Sequence, residues 1–354
     1  MNKRTKKMTL GISLLLLLCM SYLILVSKDK SLDNKTESSD TENKGSTKLA
    51  DFKSDSVTAI SFNGINLTLK DSQWIYADNE DYPVDNDKAA SLANSLANLS
   101  YTNSIKRSET EDLSVYGFEQ VSNDTSSDDS TSSENSDYKN LTLKICFNAG
   151  GTSHTCYIGA YNSIVREYYM IFDNDDYIYM ISSDIADAFD YESIYDLLVV
   201  DTIPEIDAAY MTGMAIVTPE TDYTFLPEIT ENADDNTSTV VWYMQTTDIV
   251  SEVTKERSAT DTEKFSTAVN DIITASSIKA VAYKPSAETL TAYGLSIPAY
   301  TIIITYTNES NIAEEMTFTL SIGGSDEAGN LYAIINNSNM VVTIPDIDLD
   351  SILS

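Results

Sequence analysis

Leu113-Ser114-Val115-Tyr116-Gly117-Phe118 and Leu290-Thr291-Ala292-Tyr293-Gly294-Leu295 are one phrase written twice in a chain of 354 residues. The stretches downstream of the two copies are also alike. The first leads to the alternating run 141–147, then Tyr157-Ile158-Gly159, then Tyr169 to Phe172 and Tyr177 to Ile181. The second leads to the run 300–306, then Ser321-Ile322-Gly323, then Leu331-Tyr332 and Met340 to Ile344. The copies stand 177 residues apart at the Tyr-Gly pair and 164 apart at the Ile-Gly pair. The shortfall falls where only the first copy carries the polar stretch 122–137, whose Ser-, Asp- and Asn-rich composition predicts a disordered loop. Internal repetition of this order predicts two tandem copies of one unit.

Upstream the match is looser but collinear. Trp74 in the first half answers Trp242 in the second, and each precedes one helical pattern. Apolar residues at 89, 92, 93, 96 and 99 predict a helix over about 85–99, with Asp85 as its N-cap. Phe265, Val269 and Ile272 predict another over about 260–273, where Thr260 and Glu263 have capping-box spacing. Asn63-Gly64 between alternating runs predicts a hairpin. The class expected is α+β: two units, 57–190 and 206–353, each a mostly antiparallel sheet with one main helix.

The first 50 residues differ. Residues 1–7 are basic, and residues 8–26 are 19 uncharged, largely apolar residues, enough to span a hydrocarbon core of about 30 Å. The apolar run is longer than that of a cleavable leader and lacks a small-residue cleavage site, so a retained transmembrane signal anchor is expected. The basic tail places the N-terminus in the cytoplasm and the rest outside. Residues 27–50 are polar and aperiodic, as in a disordered tether.

Chemistry is sparse. A net charge of −33 excludes nucleic acid as a partner, because the surface repels phosphate. The one histidine, His154, lies in a turn-like stretch with no visible partner to orient it. Cys146 and Cys156 have opposite strand parity, which argues against a disulfide. Asp173 to Asp176 lacks the Gly and Glu of a calcium loop and reads as a hairpin turn, as does 336–339 in the second half. Tyr168, Tyr169, Tyr177 and Tyr179 suit either a ligand platform or cross-strand pairs, and the latter is commoner. No catalytic, cofactor-binding or metal-binding residue is expected, and the chain is read as a non-enzyme. Gly117, Gly159, Gly294 and Gly323 are read as turn and strand-end glycines.

With these features in order, the chain resembles domain-of-unknown-function family 4340. The residues that carry the resemblance are Trp74, Tyr82-Pro83-Val84-Asp85, Tyr116-Gly117, Ile158-Gly159 and Tyr169, then Tyr293-Gly294-Leu295 with Pro298, Ile322-Gly323 and Tyr332. The first copy lacks the proline after Tyr-Gly, and the second lacks Pro-Val-Asp before its helix. The resemblance implies a membrane-anchored extracytoplasmic protein, an accessory of ABC-type export systems including those related to gliding-motility auxiliary proteins, with an ABC permease as partner. It implies no catalytic residue. The alternative is a stand-alone module binding cell-envelope glycan or peptide.

Overall fold

The computed structural model describes residues 46–49, 52–109, 112–120, 138–232 and 237–353. The expected anchor, most of the tether and the insert 122–137 lie outside them. Among the described residues no helix is long and apolar enough to cross a membrane. The fold is α+β, dominated by antiparallel sheet.

Short helices and 3-10 turns aside, the elements of the first half are β1 (Thr47–Lys48), β2 (Val57–Phe62), β3 (Ile65–Lys70), β4 (Gln73–Tyr76), α1 (Asn86–Ala97), β5 (Ser100–Tyr101), β6 (Asn103–Lys106), β7 (Glu119–Gln120), β8 (Tyr138–Lys139), β9 (Leu143–Ala149), β10 (Thr152–Asn162), β11 (Glu167–Phe172) and β12 (Tyr177–Ser182). In the second they are β13 (Met211–Val217), β14 (Thr221–Asn232), β15 (Thr237–Asp248), β16 (Ser258–Ala259), α2 (Thr262–Ile273), β17 (Lys279–Tyr283), β18 (Tyr300–Asn308), β19 (Asn311–Ser325), β20 (Leu331–Ile335) and β21 (Met340–Ile344).

The first sheet runs β4-β3-β2-β9-β10-β11-β12-β6, and the second β16-β15-β14-β13-β18-β19-β20-β21-β17. Apart from the added β16, the second order is the first written again. In both, a strand that follows the helix, β6 in the first half and β17 in the second, crosses to the far edge and pairs antiparallel with the last strand of the meander.

Local chemistry accounts for the junctions. Asn63 and Gly64 both have positive φ, 46° and 74°, as a two-residue turn matched to strand twist requires. Asp173-Asn174 and Asn336-Asn337 make the same kind of turn between β11 and β12 and between β20 and β21. Asp85 caps α1 by accepting from the N–H groups of Asp87 and Lys88. Asp261 does the same for α2 from Glu263 and Lys264. This replaces the expected Thr260–Glu263 box: Thr260 instead donates its N–H and hydroxyl to the Trp242 carbonyl. One shift in the helix start decides it, since Asp accepts more strongly at an N-cap than Thr.

A single apolar core runs through both halves. It takes in Ile60, Leu92, Leu96 and Ile145 on one side, Phe225, Val269, Ile304 and Leu320 on the other, and Leu197, Leu198 and Ile206 from the connection. Burying each such side chain is worth about 1.5–3 kcal/mol, so this core is the main source of the fold's stability. Smaller apolar clusters sit apart from it, around Phe118 and Tyr157 in the first half and around Leu295 and Val341 in the second.

Two further expectations change. The end of the tether is ordered: β1 pairs with β5, Thr47 opposite Tyr101 and Lys48 opposite Ser100, and Leu49 N–H donates to Leu99 O at 2.9 Å. Backbone pairing and Leu49, which packs against the core, outweigh the polar composition. His154 lies within β10, opposite Phe147, because β10 reaches back to Thr152 and shortens the turn to Gly150-Gly151.

Candidate functional site

The repeated residues meet in space. Residues Leu113–Tyr116 form one 3-10 turn, capped by Asp112 and ended by Gly117 at φ 84°. The turn lies directly on the end of β10. A Cβ on Gly117 would fall 2.9 Å from the Gly159 carbonyl carbon and closer still to Ala160 N. One on Gly159 would strike the Tyr116 carbonyl oxygen. The Tyr116 ring meets Tyr169 edge-on at 4.9 Å, and Ile158 beside them is fully buried.

The second half builds the same node. Gly294 has φ 70°, and its Cβ would lie 2.9 Å from Gly324 N. A Cβ on Gly323 would strike the Tyr293 carbonyl oxygen, which already accepts the Gly324 N–H at 2.8 Å. Tyr293 stacks on Tyr332 at 4.2 Å, and Ile322 is buried. Both nodes coincide with a break in strand register, between Ile158 and Tyr161 and between Ile322 and Ser325. Pro298 stands half-buried in the loop leading to β18. Close backbone approach thus requires glycine at all four positions, and positive φ requires it as well at Gly117 and Gly294 but not at Gly159 and Gly323.

The tryptophans tie each sheet to its helix. Trp74 N–H donates to Asn86 Oδ1 at 2.6 Å, at the first turn of α1. Trp242 lies against Phe265 of α2 at 4.8 Å. Pro83-Val84-Asp85 receives the connection between halves: Val84 bridges Leu198, Asp85 N–H donates to Leu197 O, and Val199 N–H donates to Pro83 O, both at 2.8 Å. Next to it Asp81 pairs with Lys284 at 2.8 Å and Tyr82 meets Tyr283 at 5.1 Å. The motif residues therefore build nodes, caps and the seam between the halves.

A cleft of about 430 Å³ opens along that seam. Lys88, Asp190, Tyr191, Glu192, Tyr195 and Asp196 line one wall, and Ile278, Lys279 and Ala280 the other. Lys88 Nζ donates to the Asp196 carbonyl at 2.8 Å, and Asp196 Oδ2 accepts the N–H groups of Glu192 and Ser193. Burial, with a hydrogen bond to Tyr82, pushes the Tyr195 hydroxyl up to about 12, so it stays a neutral donor at ordinary pH. These residues are scattered over three segments, and no spacing in the sequence marks them.

His154 does have a partner. Its Nδ1 lies 2.6 Å from Asp173 Oδ2, while Asp173 Oδ1 accepts the Thr155 N–H. The ring is enclosed by Phe52, Phe147 and Phe172, with centroids at 4.7, 5.2 and 5.6 Å. Nε2 is buried without a hydrogen-bond partner among the described residues. With one nitrogen engaged and the other sealed, the imidazole is not placed to move a proton to or from a ligand. Cys146 and Cys156 are free thiols; burial pushes the Cys156 thiol far up, which keeps it unreactive. Among the described residues no group of three or more His, Cys, Asp and Glu side chains is arranged to hold a metal ion.

Comparison with known proteins gives one finding. The family model described as domain of unknown function (DUF4340) matches residues 74–298. No curated protein and no solved structure matches.

Proposed function

The chain belongs to the DUF4340 family, and on that premise we propose that it is a non-catalytic accessory subunit of an ABC-type export system, held to the membrane by residues 8–26 with its folded part outside the cytoplasm. The folded part is read as two copies of one unit, since strand order, helix caps and the Tyr-Gly/Ile-Gly node all recur.

The observation that carries this reading is where the recurring residues go. Trp74, Asp85, Tyr116, Gly117, Ile158, Gly159 and Tyr169, with their counterparts in the second half, are consumed by packing, capping and close backbone approach. The residues that recur between the halves are thus accounted for by the fold and not by chemistry on a ligand. Here those residues yield a rigid double unit, and what it offers is surface. Such a body suits a docking role beside a permease.

The test is co-purification. Affinity capture of the full chain from mildly solubilised membranes is expected to recover an ABC permease and its ATPase. Recovery of neither, under conditions that keep such transporters assembled, overturns the reading. Protease added to intact protoplasts is expected to digest the folded part and spare only the extreme N-terminus.

A second reading, a stand-alone module for envelope peptide or glycan, is favoured by the seam cleft and is what remains if co-purification fails.

A further inference from the structure

The two halves build the same hairpin with opposite tips. β10 and β11 turn through Ser163-Ile164-Val165-Arg166, and their counterparts β19 and β20 turn through Asp326-Glu327-Ala328-Gly329-Asn330. Turn residues are ordinarily polar, as in the second half. In the first, Ile164 is 91% exposed and Val165 48%, beside Tyr161 at 46%. Val115, 70% exposed, stands on the 3-10 turn that lies on the same end of β10. The turn itself needs no apolar residue, because Asn162 shapes it. The Asn162 carbonyl accepts the Arg166 N–H at 2.8 Å. Its Oδ1 accepts the Ile164 N–H at 3.1 Å, and its Nδ2 donates to the Tyr169 hydroxyl at 2.7 Å. The polar contacts are thus turned inward, and Ile164 and Val165 are left to water.

The place of this tip is a second observation. The first described residues, 46–48, join the body beside β5. Thr102, just after β5, donates its N–H to Met180 O at 2.9 Å, and two residues further along β12 Ser182 pairs with Glu167 at the base of the turn. Two strand spacings and two residues make roughly 10–15 Å, so the polar stretch 27–45 reaches the body close to the apolar tip. That stretch spans at most about 65 Å, which keeps the tip within reach of a membrane that holds residues 8–26.

We propose that the Ile164-Val165 tip docks on the lipid surface of that membrane, with Tyr161 at the level of the headgroups and Arg166 toward their phosphates. Apolar side chains gain by leaving water, tyrosine favours the boundary between lipid and water, and a cation is drawn to anionic headgroups. Arg166 has no ion pair among the described residues. A tip with its own cation lets a protein of net charge −33 approach a headgroup layer that its other faces would avoid. The proposal rests on the membrane anchorage read above and goes beyond it: the folded part is held at a fixed face and does not hang free.

The test uses the full chain reconstituted in vesicles of phosphatidylcholine and phosphatidylglycerol. Cys19→Ser and Cys146→Ser clear the background, since Cys156 is buried. Ile164→Cys then carries a nitrobenzoxadiazole fluorophore, and in a second protein Ala328→Cys carries it on the equivalent exposed turn. At 164 the emission is expected to shift to the blue and to be quenched by lipid spin-labelled at the headgroup; at 328 it is expected to do neither. Val165→Asp, added to the protein labelled at 164, should lower the ratio of docked to free tip about tenfold, through the cost of a charge in the lipid boundary. Its thermal melt should not change, because the position is exposed. Emission that is unquenched at both sites, from a chain that floats with the vesicles, overturns the proposal and leaves the anchor standing. A blue shift without lipid quenching overturns it too, since the tip would then lie against protein. So does quenching that Val165→Asp leaves unchanged. A chain that does not float with the vesicles removes the anchorage and this proposal together.

Discussion

The two halves share one strand order yet differ in how tightly each solves the same problems. At the node, the first half brings Gly117 closer to its opposing strand than the second brings Gly294. At the edge, β6 and β17 each pair with a single strand of their sheet; the first half adds β1 beside β5, whereas in the second β17 lies close to Ile194–Leu197 of the connection. Trp74 is buried and Trp242 is half-buried, packed on Phe265. The comparison teaches that the node defines the unit and the edges are where a unit adapts. A glycine pair pressed backbone to backbone tolerates no variation, whereas an edge is satisfied by the chain, by a neighbouring unit or by a partner.

Breaking the shared core should have the largest effect. Ile158→Asp and Ile322→Asp each bury an unpaired charge, costing about 4 kcal/mol or more. Because one core runs through both halves, each variant is expected to lower one cooperative transition in chemical denaturation. A second transition, with the untouched half melting as before, would show that the halves are energetically separate.

The node comparison is sharpened by Gly117→Ala against Gly294→Ala. Both add a Cβ at positive φ against backbone, so both destabilise, Gly117→Ala by about 3 kcal/mol and Gly294→Ala by nearer 2. Thermal melts of the two variants measure the order. Equal losses would mean that the difference in clearance carries no energy.

The caps should behave as equals. Asp85→Ala and Asp261→Ala each remove an acceptor for two helix N–H groups, at about 1 kcal/mol apiece. A clearly larger loss at Asp85 would mean that its side-chain cap also steadies the connection that its backbone holds at Leu197.

The smallest effect is expected at the seam. The Lys284 ammonium holds the Asp81 carboxyl below its usual range. A depressed carboxylate stabilises above its unfolded pKa, and that contribution fades as pH falls through the folded one. Asp81→Asn should therefore lower the melting temperature slightly at neutral pH and not at all once the wild-type carboxyl is protonated. A difference that persists in strong acid would assign the effect to packing.

Much of the unit was legible because its signals are local. Asn63-Gly64, the polar turns at 173–174 and 336–337, Asp85 at its helix start and the opposed parity of Cys146 and Cys156 each depend on a few adjacent residues. β6 and β17 were not legible. Asn103-Ser104-Ile105-Lys106 has no apolar alternation, and only its place beside β12 makes it a strand. His154 was misplaced for a related reason: its partner Asp173 is 19 residues away and approaches only when β10 and β11 pair.

The amino-acid order by itself determined the duplication pattern, the strand-rich class, the Asp85 cap and the family to which the chain belongs, since repeats, alternation and capping act over a few residues. Only the tertiary structure decided that the recurring tyrosines and glycines form one node per half, that a single core runs through both halves, and that β17 and the connection between the halves line one cleft. Those outcomes depend on which distant backbones come within contact distance, and close approach between segments tens of residues or more apart leaves no mark on the spacing of either.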